Sequence, residues 1–328
     1  MTAFVNNGIM DLAFDENLVP IQLMAENKKF IYDPGVLAEV SNLKIRAKNL
    51  VEGFLSGQHR SRHKGSSVEF AEFKAYSPGD EIRHIDWKIA GKTDEYFVKQ
   101  FEQSTNLRFT IMLDASGSMR YESPFQKPGE LTKMEYARTL VAALAYLILK
   151  QFDGVGLILF NNDVINRIPA RFKHSHFQHI LHGLETFAPQ GITRIGEVIT
   201  QVIESLPGGG LIIIVSDLLA KEDDLHRILK LMSARGMETI VFHLLHPDEV
   251  NFPFDGDIVF ESLEDDPSVG LDPKDIREAY RQIIQNQIRA YRKTLPSLGV
   301  DYLFMETSTP LGGALNYYLL KRKSLFKG

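Results

Sequence analysis

The chain has 328 residues, 44% hydrophobic and 24% charged, with a formal net charge of −5 and no cysteine. That composition belongs to an ordinary globular protein, long enough for roughly two domains around a well-buried core. The missing thiols exclude disulfides, zinc–thiolate sites, iron–sulfur clusters and cysteine nucleophiles, and the mild acidity argues against a protein that coats nucleic acid.

Asp11, Asp15 and Glu16 interrupt the only apolar stretch that precedes the first basic residue, Lys28. No secretory signal is therefore expected. No segment offers the roughly 18 uncharged apolar residues that a bilayer span requires, so a cytoplasmic location is expected.

In chain order, residues 1–35 lack periodicity and read as an irregular arm closing in the turn Asp33-Pro34-Gly35. From Val36 to Phe54 the apolar residues Val36, Leu37, Val40, Leu43, Ala47, Leu50, Val51 and Phe54 recur at helical spacing, which predicts an amphipathic helix. With it, residues 57–104 complete a small appendage spanning 36–104, punctuated by Gly57, Gly65, Pro78, Gly79 and Gly91. Within it, Ser77-Pro78-Gly79-Asp80 suits a type II turn, and Asp80 suits the cap of a short helix carrying Ile82, Ile85 and Trp87.

Residues 105–328 alternate regularly. Strands are predicted at 107–113, 155–160, 211–216, 238–245 and 300–305, and helices at 132–151, 174–187, 193–206, 222–235, 275–294 and 310–322. Alternation of this kind defines an α/β domain with a doubly wound, mainly parallel sheet. Ligands of such sheets bind outside the carboxyl ends of the strands, where strand order reverses.

The first of these strands runs into TIMLDASGSMRY, residues 110–121. Asp114, Ser116 and Ser118 stand at i, i+2 and i+4, so an extended loop aims three oxygens one way. Thr193, in GITRIG, and Asp217, in IVSDLL, supply two further oxygens from other strand ends. Hard oxygen donors of this kind suit Mg²⁺, with Mn²⁺ or Ca²⁺ as substitutes.

D-x-S-x-S with a distant threonine and a distant aspartate resembles the metal-ion-dependent adhesion site of von Willebrand factor A domains. The resemblance implies that Ser116 and Ser118 ligate the metal directly and that Thr193 and Asp217 ligate it directly or through water. A partner's Glu or Asp would then complete the sphere. Upstream, GQHRSRHKGSSVEF, YSPGDEIRHIDWK and VKQFEQ resemble the signature of the bacterial family called domain of unknown function 58. The combined resemblance covers residues 36–323. It implies a MoxR-type AAA+ ATPase as partner and a role in maturing or remodelling client proteins. Gly91-Lys92 stands where many relatives carry Ala-Arg, and a lysine lacks the bidentate fork of an arginine.

Other readings compete. D-x-S-x-S alone also suits a helix N-cap or a polar loop. His174, His176, His179 and His182 read as surface histidines or, less simply, as a transition-metal face. The run His59-Arg60-Ser61-Arg62-His63-Lys64 reads as a clamp paired with Glu69, Glu72, Asp80 and Glu81, or as a phosphate contact. Trp87 reads as an anchor of the appendage. Pro207-Gly208-Gly209-Gly210 lacks a following Lys-Ser/Thr and reads as a turn. The favoured function is a non-enzymatic, metal-dependent protein-binding module. The alternative is a metal-dependent hydrolase or phosphatase using the same strand-end aspartate, against which stand the serine where phosphatases carry a second acid and the missing nucleophile elbow.

Overall fold

The computed structural model describes residues 37, 40–61, 73–75, 97–99 and 107–325, apart from 128–129, 193–194, 207–208, 220–221, 257 and 262–267. The arm 1–35, the turn at Ser77–Asp80, Trp87, Gly91-Lys92 and residues 62–64 of the basic run lie outside the described residues, as do Thr193, Pro207 and Gly208.

The described elements are α1 (Leu43–Ser61), β1 (Phe73–Ala75), β2 (Phe97–Lys99), β3 (Arg108–Asp114), α2 (Lys133–Lys150), β4 (Gly154–Phe160), β5 (Val164–Arg171), α3 (His176–Glu185), α4 (Ile195–Ser205), β6 (Leu211–Ser216) and α5 (Glu222–Ala234). There follow β7 (Glu238–Leu245), α6 (Pro247–Asn251), β8 (Ile258–Glu261), β9 (Ser268–Leu271), α7 (Pro273–Ser297), β10 (Val300–Glu306) and α8 (Gly312–Leu325).

Six strands form one sheet in the order β10-β7-β6-β3-β4-β5. All neighbours are parallel except β4 and β5, so the predicted α/β architecture is the observed one, with an antiparallel edge. From β3 the chain proceeds to β4 and β5 on one side, then crosses to β6 on the other. Strand order thus reverses at β3, and the carboxyl ends of β3 and β6 flank the crevice that such reversals open.

Alternation along the strands divides the core in two. Phe109, Ile111 and Leu113 of β3 and Ile213 and Val215 of β6 face one side with α1, α2 and α8. Met112, Ile212, Ile214 and Val241 face the other with α4, α5 and α7. Burying each of these large side chains stabilises by about 1.5–3 kcal/mol, which explains why the four central strands read as near-continuous apolar runs.

α1 belongs to the first of these cores. Leu43, Ala47, Leu50, Val51 and Phe54 pack in the same cluster as the β3 residues, and Arg46 donates from Nη1 to Thr139 Oγ1 of α2 at 3.2 Å. The helix predicted over 36–54 is observed from Leu43 and continues through polar residues as far as Ser61.

Two regions escape the periodicity argument. β5, VINRIPAR, alternates half-buried and exposed side chains and contains Pro169, both marks of an edge strand. The hairpin of β8 and β9 uses strands of only four residues each.

Candidate functional site

The oxygens of the D-x-S-x-S loop are fixed by local geometry. Ser116 N–H donates to Asp114 Oδ1 at 2.9 Å, and Ser216 Oγ–H, from the end of the neighbouring β6, donates to Asp114 Oδ2 at 2.7 Å. Ser116 Oγ lies 3.0 Å from Ser118 Oγ, but the two hydroxyls converge through a turn and not through the extended loop expected from the spacing: Ser116 is extended, whereas Ser118 lies within a 3₁₀ turn. That short 3₁₀ turn, Gly117–Arg120, carries Ser118 and then leads the chain away.

A second loop braces the first. Gly117 N–H donates to Gly191 O at 2.8 Å, and Gln190 N–H donates to Ala115 O at 2.9 Å. Gly191 sits at φ +76°, a backbone state that favours glycine, with Asn161 Nδ2 only 3.3 Å from where a Cβ would stand.

Asp217 follows β6 directly, and Leu218 after it adopts φ +52°. A left-handed leucine is uncommon, and such strain persists where the surroundings enforce it. Here Leu218 N–H donates to Ser216 Oγ at 2.9 Å and the side chain is buried. The Asp217 carboxylate is tied to the serine loop through Lys133, whose ammonium lies 2.7 Å from Asp217 Oδ2 and 3.5 Å from Ser118 O.

The residue that completes this cluster is a lysine. Lys133 Nζ lies 2.7 Å from Asp217 Oδ2 and 2.8 Å from Glu249 Oε1, and its side chain has no solvent exposure. Its ammonium also lies 3.5 Å from Ser118 O. Two capping boxes position this bridge. Thr132 caps α2, with Glu135 N–H donating to Thr132 Oγ1 and Thr132 N–H donating to Glu135 Oε2, which sets Lys133 at the first helical position. His246 caps α6, and its N–H donates to Glu249 Oε2 at 2.6 Å, leaving Oε1 for the lysine.

Charge follows from these contacts. Burial opposes the ammonium of Lys133, but Asp217 and Glu249 more than offset it and raise its pKa. Burial likewise opposes ionisation of Asp217, yet the lysine holds its carboxyl below the usual range. The donors described for Asp114, the Ser116 N–H and the Ser216 hydroxyl, are neutral. Burial first, and then the charge of Asp217, push it up to about 6. Glu249 is raised by its burial, against the pull of Lys133.

All five oxygens proposed from the sequence except that of Thr193, which is not among the described residues, thus meet at one strand-end crevice. They are enclosed: Asp114, Ser116 and Asp217 are fully buried and Ser118 is 7% exposed. Their chemistry fits a hard divalent cation, since every donor is oxygen and the neutral hydroxyls of Ser116 and Ser118 converge beside a carboxylate. Among the described residues no three His, Cys, Asp or Glu side chains are arranged to hold a metal, so a cation here would depend on the serines.

Lys133, Glu249 and Ser216 are the site residues that sequence reasoning missed. One signal was available: a lysine in the first turn of a helix opposes the macrodipole, and a broken local rule points to a tertiary partner.

The histidines lie elsewhere. His176, His179 and His182 line an open groove of about 380 Å³ beside β5, together with Arg167, Arg171 and Lys173. The surface reading fits His174, His179 and His182, whereas His176 is only 4% exposed. No carboxylate lines that groove among the described residues.

Fold and site together define a mainly parallel α/β domain with a buried, oxygen-rich cluster at its topological switch point. The chain belongs to the family described as protein of unknown function DUF58, whose model matches residues 72–292. It is 26% identical over 283 residues to the uncharacterized protein Rv1480 of Mycobacterium tuberculosis, covering 83% of this chain and 87% of that one. Among solved structures it is similar to the conserved hypothetical protein BatB from Bacteroides thetaiotaomicron, with a TM-score of 0.44 and 20% identity over 66% of this chain and 99% of that one. It is also similar to the SpRpn10 VWA domain, with a TM-score of 0.38 and 15% identity over 64% and 94%. The fold description rests on the strand order itself. No described helix is long and apolar enough to cross a membrane.

Proposed function

We propose that this chain is a non-enzymatic, metal-dependent protein-binding module. Asp114, Ser116 and Ser118 would hold Mg²⁺, with Asp217 and Thr193 as further oxygen donors. When bound, the ion supplies a Lewis-acidic position that takes up a carboxylate from a partner. The partner is a MoxR-type AAA+ ATPase or its client, as the family resemblance implies, and the protein acts as an adaptor in the cytoplasm.

One observation carries this reading: two serine hydroxyls 3.0 Å apart beside a buried strand-end aspartate, at the point where strand order reverses. The chain's own residues do the rest. Ser216 and the Ser116 N–H orient the Asp114 carboxylate, and the Gly191 loop braces the serine loop through Ala115 and Gly117.

The test is a pull-down from native lysate with wild-type and Asp114→Ala protein, each with magnesium and with chelator, read by mass spectrometry. An AAA+ ATPase retained only by the wild type with magnesium supports the reading. Retention that ignores both metal and mutation overturns it, and places the binding surface elsewhere.

A further inference from the structure

The metal site contains a cation of its own, carried on α2. Asp114, Asp217 and Glu249 are three buried or nearly buried carboxylates, and Lys133 is the ammonium placed against two of them, so these four groups sum to −2 when fully ionised. Asp217 stands at the junction: Oδ2 receives Lys133 Nζ, and the same ammonium lies 3.5 Å from the carbonyl oxygen of Ser118 in the serine loop. A lysine pinned by one capping box and an acid pinned by another leave little freedom for the bridge to be accidental.

We infer that Lys133 is a tethered competitor for the metal, holding Asp217 in the metal-free protein and surrendering it when a divalent ion binds. An ammonium and a divalent cation both lower the cost of burying that carboxylate, but two like-charged cations repel strongly at such short range in a water-poor site. Binding of one therefore weakens the other, and Lys133 sets the metal affinity. Released from Asp217, the ammonium retains Glu249, so metal occupancy is transmitted to α6 through a single side chain. The inference rests on the metal-dependent reading of the site given above.

The experiment titrates Mn²⁺ into the full chain by calorimetry at one neutral pH, comparing wild type, Lys133→Met, and Lys133→Met combined with Asp217→Asn. Lys133→Met is expected to bind Mn²⁺ at least tenfold more tightly than wild type, and the added Asp217→Asn is expected to abolish the gain. A folded Lys133→Met that binds no more tightly than wild type overturns the inference alone. Absence of Mn²⁺ binding in every protein overturns both this inference and the metal-dependent function. Should the variant fail to fold, the wild type suffices. Side-chain NMR of ¹⁵N-lysine-labelled protein is expected to lose the protected Lys133 ammonium signal on addition of Mg²⁺. A signal unchanged at saturating Mg²⁺ overturns the competition.

Discussion

Two aspartates at neighbouring strand ends make an internal comparison. Asp114 closes β3 and Asp217 follows β6, and both are fully buried. Yet the carboxyl of Asp114 is pushed up to about 6 while that of Asp217 is held low. Both pay the same kind of desolvation cost, so the partners decide. Asp114 is met by a backbone N–H and a serine hydroxyl, Asp217 by an ammonium. Neutral donors do not offset full burial; one well-placed cation does. The crevice is consequently half neutralised from within.

The largest expected effect breaks the neutralised half. In chelator, Asp217→Asn leaves Lys133 with Glu249 alone and is expected to cost about 3–5 kcal/mol, the usual penalty for removing one partner of a buried pair. Urea unfolding measures it directly. Asp114→Asn, made in parallel, removes none of the described ion pairs and is expected to leave the midpoint unchanged or higher at neutral pH. Equal losses in the two variants would mean that the ion pair does not distinguish the strand ends.

The same contrast explains what was legible in the sequence. The Asp114 end announces itself locally, because D-x-S-x-S follows an apolar run, although a 3₁₀ turn at Gly117–Arg120, and not an extended backbone, brings Ser118 to Ser116. The central strands are equally legible, since burial on both faces forces unbroken apolar runs such as IML and LIIIV. The Asp217 end depends on contacts 84 and 116 residues apart in sequence, from Lys133 to Asp217 and Glu249, and no periodicity carries them. β5 was missed for a different reason. An edge strand with one solvated face and a proline reads as a loop, although its alternation was present.

A second prediction resolves the comparison by pH, in metal-free protein. Asp114 has a reference pKa of 3.8 and a folded value of about 6. Because the folded value is raised, the contribution of this group is fully present below about pH 4 and is lost as pH rises through about 6. Asp114→Asn lacks that titration. Its stability relative to wild type should rise between about pH 4 and 6 and then level off, by on the order of 2 kcal/mol. Unfolding midpoints across that range test it, and a pH-independent difference would place Asp114 in a more polar setting than its contacts indicate.

The smallest effect separates aim from charge. Thr132→Ala removes the hydroxyl that accepts from Glu135 N–H but leaves Lys133, Asp217 and Glu249 intact. Loss of an N-cap costs about 1 kcal/mol, and Thr132→Ser should restore most of it. If the cap serves only helix α2, the loss in Thr132→Ala should be the same in an Asp217→Asn background. If it also aims the ammonium, the two substitutions should be less than additive, since a lysine without its main acid gains less from being aimed. A double-mutant cycle on the unfolding midpoints reads that coupling, and strict additivity would confine Thr132 to the helix.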